Sequence, residues 1–324
     1  MNSDMVSNLY KNENYTHYTV MLNEAVDILD IKNNPDAVYV DATLGGGGHS
    51  ELILQKLNGR GRLISFDIDE DAINAASERL SGYKNLTIVK RNYSEIKNVL
   101  KELNIDKITG GIIFDLGASY HQLTKGERGF SFKTDAPLDM RFDKTAKKSA
   151  YDVVNRYKEN KLAEIFSKYG EEHFSKRIAH AIVNSRPINT TLQLADLIIR
   201  TTPDVKSYIH PATRVFQAIR IEVNDELLNF ENTLKDVLTL LSVGGIISII
   251  SFHSLEDRIA KHFFKEFSKE CRCKKEQPFC NCGGRVFEIL TKKPVGAKDE
   301  EIKNNPPSRS AKLRAAKKTA DIGV

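Results

Sequence analysis

The run Asp41-Ala42-Thr43-Leu44-Gly45-Gly46-Gly47-Gly48-His49 concentrates the residue types most able to hold a ligand. Glycines lack a Cβ, so backbone amides there can approach a bound molecule closely. Asp67 follows 22 residues after Gly45, an interval at which a carboxylate can accept hydrogen bonds from both hydroxyls of a ribose. The pairing predicts a nucleoside site.

Two adenosine cofactors compete for it. Dinucleotide sites favour G-x-G-x-x-G, whose backbone accommodates a pyrophosphate. The Gly45-x-Gly47-x-His49 spacing, with Asp41 just upstream, suits a cationic ligand better. S-adenosylmethionine, which carries an ammonium and a sulfonium, is preferred here to NAD. Tyr93 has two readings, a stacking partner for adenine or an aromatic lid on the core. Asp115 opens Asp115-Leu116-Gly117-Ala118-Ser119, with Gln122 seven residues on, and is a candidate for the reaction centre. Asp139 and Arg141, in Pro137-Leu138-Asp139-Met140-Arg141, would handle a target base or its phosphate, or form an ion pair between domains. Ser251, His253, Ser254 and Asp257 resemble a hydrolase set, but there is no G-x-S-x-G elbow, and residues this close in sequence cannot readily adopt triad geometry. His253 is instead expected to line a substrate cleft.

These residues need a frame. Short apolar runs end at Asp41, Asp67 and Asp115, each followed by a helical pattern, and a further run covers Leu86–Val89. Such alternation predicts a parallel sheet covered on both faces. Between about Ala136 and Arg214 the spacing is helical throughout, as in Leu162, Ile165, Phe166 and Tyr169. Alternation resumes with helices from His210-Pro211 and over Glu226–Leu241, then the very apolar Gly245–Phe252, and a last strand at Val286–Thr291. The expected fold is α/β, a doubly wound sheet at 1–135 and 215–324 interrupted by a helical domain at 136–214. Along the helix after His210, Arg214, Gln217 and Arg220 recur every third residue; this stripe faces RNA or is simply solvated.

No run approaches the roughly 18 apolar residues a membrane helix needs, and Met1–Tyr15 is polar, so a cytoplasmic protein without membrane partners is expected. A net charge of +5 mildly favours a polyanionic partner. From Lys303 to Lys318 there are six Lys or Arg and no Asp or Glu, a tail read as solvated or as phosphate-contacting. All four cysteines, Cys271, Cys273, Cys280 and Cys282, fall in one window. Reduced thiols and one tetrahedral zinc both fit, though the spacing is not the C-x-x-C of zinc ribbons, and no metal ligand is assigned.

Longer segments resemble a known family. His17-Tyr18-Thr19-Val20-Met21-Leu22-Asn23-Glu24, Gly46-Gly47-Gly48-His49, Glu127-Arg128-Gly129-Phe130-Ser131-Phe132, Ala136-Pro137-Leu138-Asp139-Met140-Arg141, the stretch from His210-Pro211-Ala212-Thr213-Arg214 to Arg220, Ser251-Phe252-His253-Ser254-Leu255-Glu256-Asp257-Arg258 and Arg309-Ser310-Ala311-Lys312-Leu313-Arg314 occur in family order. On these the chain resembles the bacterial 16S rRNA cytosine-N4 methyltransferases of the RsmH (MraW) type. The resemblance implies a Rossmann-like class I methyltransferase core. It implies S-adenosylmethionine contacts at Gly47, Gly48, His49, Asp67, Tyr93, Asp115 and Gln122; the catalytic candidates Asp115, Asp139 and His253 rest on their positions at strand ends and beside the helical insertion. The implied partner is 16S rRNA of the small subunit rather than DNA; a homo-oligomer is compatible. Two departures stand out. Ala118-Ser119-Tyr120-His121-Gln122 replaces the family's Val-Ser-Ser-Pro-Gln, and Asn305-Pro306-Pro307-Ser308-Arg309-Ser310 lacks one arginine of the usual tail. The Tyr120-His121 pair keeps an alternative in view, an RNA-binding ribosome assembly factor that holds the cofactor without catalysis.

Overall fold

A computed structural model describes residues 9–11, 16–124, 126–203, 210–273 and 282–322. The chain divides into two compact units, one formed by Met1–Gly117 with Leu228–Val324, the other by Ala118–Leu227. The second unit is wider at both ends than the 136–214 span read from hydrophobic periodicity. Phe130 and the apolar face of the helix after His210 belong to its core, which spacing alone could not reveal.

In chain order, β1 (Leu9–Lys11) and β2 (Thr16–Tyr18) form an antiparallel pair. Then come α1 (Leu22–Asp27), β3 (Val38–Asp41), α2 (Gly48–Leu57), β4 (Arg62–Asp67), α3 (Glu70–Arg79), β5 (Leu86–Lys90), α4 (Ile96–Glu102) and β6 (Gly111–Asp115). The second unit holds α5 (Tyr120–Thr124), α6 (Ala150–Arg156), α7 (Glu159–Gly170), α8 (Ser175–Asn184), α9 (Thr191–Thr201) and α10 (Ala212–Asn224). The chain returns through α11 (Glu226–Leu240) to β7 (Ile246–Ser251), α12 (Ser254–Phe267), β8 (Phe287–Ile289), β9 (Val295–Gly296), α13 (Asp299–Asn304) and β10 (Lys312–Lys318).

The main sheet runs β5-β4-β3-β6-β7-β10-β8, with β9 on β10. The first five strands are parallel, and β10 is antiparallel to both its neighbours. Successive side chains of a strand point to opposite faces, and the core divides accordingly. Val40, Ile64, Ile112 and Ile247 pack with α4, α11 and α12 on one face. Tyr39, Leu63, Ile113 and Ile246 pack with α1 and α2 on the other. The sheet is therefore doubly wound, as its near-continuous apolar strands predict. Strand order reverses between β3 and β6, and in open α/β sheets ligands bind outside the carboxyl ends at such a point.

Sequence reading missed β10. Its lysines and arginines look like a tail, yet Leu313, Arg314, Ala315, Ala316 and Lys318 are buried. Arg314 makes a two-pronged ion pair with Asp257 (2.7 and 3.2 Å). The Lys318 ammonium donates to the carbonyls of Leu238 and Leu241 at 2.8 and 2.7 Å, closing the C-terminus of α11. Four of the six supposed tail charges thus belong to a structural strand.

The second unit is a helical body. Its core gathers Leu162, Ile165, Phe166, Ile178, Ile182, Leu194, Ile198, Val215 and Ile219 from α7 to α10. α6 and α9 begin with capping boxes from Ser149 and Thr190. Among the described residues no helix is long and apolar enough to cross a membrane.

Candidate cofactor and catalytic site

Asp67, Asp41 and Asp115 end the adjacent strands β4, β3 and β6, so the three acids read from sequence meet on one sheet edge. The glycine loop lies between β3 and α2. Gly47, at φ 78°, occupies the left-handed region and caps α2. Gly48 meets a packing constraint besides the close ligand approach expected. A Cβ there would lie 2.0 Å from Thr19 Oγ1 and 2.9 Å from Thr19 Cβ, so this glycine lets the segment before α1 pack onto α2.

Each acid has a distinct task. Asp67 accepts from the amides of Gly45 (2.8 Å), Ile68 (2.8 Å) and Asp69 (2.9 Å). It fixes the glycine loop directly and stays partly exposed, open to a ribose. Burial pushes it up to about 6 despite those donors. Asp41, expected to face a cation, is wholly buried. It accepts from Ser50 Oγ (2.7 Å) and the Thr43 amide (3.0 Å), and Ser50 bonds Ser65 at 2.8 Å. Burial raises Asp41 to about 6 as well. It holds the loop from beneath and reaches a ligand only through its field.

Asp115 is the reactive-looking member. Its amide donates to Thr43 Oγ1 at 2.7 Å, which fixes the strand end. Oδ1 is buried and has no hydrogen-bond partner among the described residues. Burial first, then the negative fields of Asp41, Glu256 and Glu301, holds this carboxyl well above the usual range. A buried acceptor without a donor is costly, and a cationic or N–H-bearing ligand would relieve it. This orphaned oxygen, the glycine loop and the open edge of Asp67 fit S-adenosylmethionine: Asp67 would hold its ribose and Asp115 would face its cationic end.

His49 sits below Asp115. Its Nε2 lies 3.1 Å from the Val20 carbonyl, and Nδ1 is 3.7 Å from Asp115 Oδ2. A carbonyl only accepts, so Nε2 carries the proton and Nδ1 is left as an acceptor. Burial lowers its pKa to about 4, with Arg79 adding to the effect, so the ring is neutral near pH 7. Its role is to tie α2 to the segment before α1, not to supply charge.

Other candidates are placed elsewhere. Tyr93 follows β5 and makes an edge contact with Phe114 (5.8 Å), compatible with either of its readings. His253 caps α12 in a capping box: its side chain accepts from the Glu256 amide, while the Glu256 carboxylate accepts in return from the His253 amide at 3.4 Å, and also from the Phe252 amide at 2.9 Å. It follows β7 on the same edge as Asp115, and its ring serves the helix start. Gln122 lies in the second unit, where its Oε1 accepts from the Ser119 amide (2.9 Å) and Ser119 Oγ accepts from the Gln122 amide (3.2 Å). Asp139 and Arg141 form a two-pronged ion pair (2.8 and 2.7 Å) inside one loop of that unit. It is not a tie between domains. Burial would raise Asp139, but Arg141 outweighs it and holds the carboxyl low. The α10 stripe is also largely engaged: Gln217 donates to the Tyr169 carbonyl at 3.0 Å, and Arg220 pairs with Glu226 at 2.9 and 3.0 Å.

Sequence reading overlooked four contributors. Thr43 and Thr19 position the loop, Arg79 joins Glu51 (2.7 Å) to the Gly46 carbonyl (3.2 Å), and Glu301 accepts from the Met21 amide at 2.9 Å. Only Thr43, inside the glycine run, carried a local signal. The others act across long separations.

Comparison with known proteins places this geometry in context. The family profile described as the MraW methylase family matches residues 14–319. A protein named Ribosomal RNA small subunit methyltransferase H from Caldicellulosiruptor saccharolyticus is 51% identical over 94% of this chain and 99% of its own length. Proteins of the same name from Clostridium botulinum (strain Loch Maree / Type A3) and Brevibacillus brevis are 50% and 48% identical, each over 94% of this chain and 99% and 98% of their own.

Proposed function

The chain belongs to the MraW methylase family, and we propose that it transfers a methyl group from S-adenosylmethionine to the exocyclic N4 amine of a cytosine in 16S rRNA of the small ribosomal subunit. The observation that carries this reading is the full-length likeness to small-subunit rRNA methyltransferases, joined to an orphaned Asp115 oxygen at the switch point of the sheet.

When bound, the cofactor supplies a methyl group made electrophilic by its sulfonium. The chain's part is to place an amine in line with it. A cytosine N4 is a poor nucleophile because its lone pair is delocalised into the ring. Asp115 Oδ1 can accept one amine hydrogen, biasing the nitrogen toward tetrahedral geometry and aligning it. Because burial raises this carboxyl, its deprotonation should accompany binding of positive charge. Asp67 and the Gly45–Gly48 loop hold the nucleoside end. No covalent enzyme intermediate is invoked, since the described cysteines follow α12 and lie away from the edge that bears Asp115. A paired base cannot offer its amine to a buried carboxylate at a sheet edge, so the target is unpaired or flipped. The helical unit and the exposed Lys303 and Arg309 are assigned to RNA shape and phosphate contact.

The test is transfer of labelled methyl to small subunits lacking the modification, followed by nucleoside analysis. N4-methylcytidine formed by the wild type and absent with Asp115→Asn is the expected result. Label on another nucleoside would overturn the assigned acceptor. Tight cofactor binding without any transfer, on free RNA or subunits, would favour the non-catalytic assembly factor.

A further inference from the structure

The cysteine window remains unexplained by methyl transfer. α12 starts at the carboxyl end of β7, and its 14 residues span about 21 Å. The chain therefore reaches Cys271 near the opposite, amino edge of the sheet. There β8 begins at Phe287, which pairs with Lys318, and the Val286 amide donates to the Phe267 carbonyl at 2.9 Å. The sulfurs of Cys271, Cys273 and Cys282 all lie within 4.8 Å of one another. Tetrahedral zinc with metal–sulfur bonds of about 2.3 Å sets its sulfurs roughly 3.8 Å apart, so small adjustments close the set on one ion.

The surroundings favour thiolates. The Arg272 amide donates to Cys282 Sγ at 3.2 Å, the kind of N–H···S contact that stabilises negative sulfur. The Arg272 guanidinium donates to the carbonyls of Gly284 and Cys282 and sits over the Phe267 ring at 5.2 Å. Gly283 and Gly284, at φ 72° and 70°, supply the left-handed turn that folds Cys282 back toward Cys271 and Cys273. Phe267 packs on Phe263, which packs on Phe287, so the end of α12 and the start of β8 share one aromatic cluster. A single disulfide would use two sulfurs; three around one point is an arrangement suited to a metal.

We propose that Cys271, Cys273 and Cys282 bind one zinc ion as thiolates, clamping the end of α12 to the start of β8. Three S–H protons leave to solvent as three Zn–S bonds form, with no change of oxidation state. Cys280, the remaining cysteine, lies outside the described residues. The site is structural: it is on the sheet edge opposite Asp115.

The experiment is metal analysis of the full chain, purified without a histidine tag from zinc-containing medium under a non-chelating reductant. About one zinc per chain is expected, falling below about a tenth in Cys273→Ala and in Cys282→Ala. Because such variants could fail to fold, wild-type protein stripped of metal is also titrated with Co²⁺. Thiolate-to-cobalt charge-transfer absorption and tetrahedral d–d bands, displaced by zinc, are expected. Wild type that is folded and reduced yet holds only trace metal and gives no cobalt bands overturns the proposal. So does zinc retained undiminished in a folded Cys273→Ala/Cys282→Ala double variant, or recovery of these cysteines as a disulfide from the native protein. Metal content is read without any methyl-transfer assay, so the two proposals stand or fall separately.

Discussion

Substituting Gly48 by Ala should destabilise the first unit for a reason located in one residue. The added Cβ would sit 2.0 Å from Thr19 Oγ1, 2.9 Å from its Cβ and 3.0 Å from its Cγ2, where unstrained carbon contacts are about 3.5–4.0 Å. Thr19 is fully buried, so its side chain cannot swing into solvent. Relief requires α2 to move away from the segment before α1, an overpacking cost of about 1–3 kcal/mol. The backbone of Gly48 is ordinary helix, so the penalty is steric alone. Thr19→Ala removes Oγ1 and Cγ2 and leaves only the 2.9 Å contact. In that background Gly48→Ala should therefore cost about 1 kcal/mol less, a coupling readable in a double-mutant cycle. Gly47→Ala is the control. Its cost comes mainly from φ 78° and from Leu80 and Ala76, at 3.1 and 3.3 Å, and should not respond to Thr19→Ala. Urea unfolding with an unchanged m-value measures each term. Equal Gly48→Ala costs in both Thr19 backgrounds would refute the reasoning.

Three further outcomes follow from buried charge. Asp41 and Asp67, raised to about 6, are protonated in the folded state where the unfolded chain has released its protons; the stability they confer is full below about pH 4 and lost as pH rises through 6. His49, lowered to about 4, acts oppositely: its contribution is present above about 6.5 and lost as pH falls toward 4. Asp41→Asn should thus tilt the wild-type stability profile upward with pH and His49→Gln tilt it downward, by up to about 3 kcal/mol across the window; parallel profiles would show that these groups do not titrate as argued. Lys318→Met should cost about 2–4 kcal/mol by leaving the Leu238 and Leu241 carbonyls unpaired, and a shift in urea midpoint under 0.5 kcal/mol, within the range of an ordinary surface change, would contradict it. Arg314→Ala should lower stability yet leave the salt dependence of RNA binding intact, whereas Lys303→Ala with Arg309→Ala should flatten that dependence by about two units of slope; the reverse pattern in filter binding would return β10 to the RNA interface.

Much of the site was legible because it is local. Asp41, Asp67 and Asp115 each close an apolar run, and the glycines fall between a strand and a helix, so their meeting on one edge follows from parallel topology. What failed to show were properties created by packing between distant segments. Thr19 meets Gly48, Met21 meets Glu301, and Arg79 meets Gly46 only after the chain has folded. Likewise Asp41 reads as a ligand carboxylate until Ser50 and Ser65 enclose it. Charge misled most at β10, where Arg314 and Lys318 look solvated but find a carboxylate and two carbonyls inside. The Asp139–Arg141 pair shows the same limit at short range, since its two residues satisfy one another within a single loop.

The place of β10 has a consequence for synthesis of the chain. This strand fills the interior position between β7 and β8, and among the described residues β8 has no other neighbour in the sheet. A ribosome must therefore translate through Lys318, and the exit tunnel must release it, before the sheet can close. Until then β7 presents an unpaired apolar edge, Ile246–Ser251, of the kind that templates association with other chains. The nascent protein passes through a vulnerable interval whose length is set by translation from β7 to β10. Slowing elongation over that stretch should increase its demand for chaperones, and a stop codon placed before Lys312 should yield aggregate rather than a trimmed enzyme.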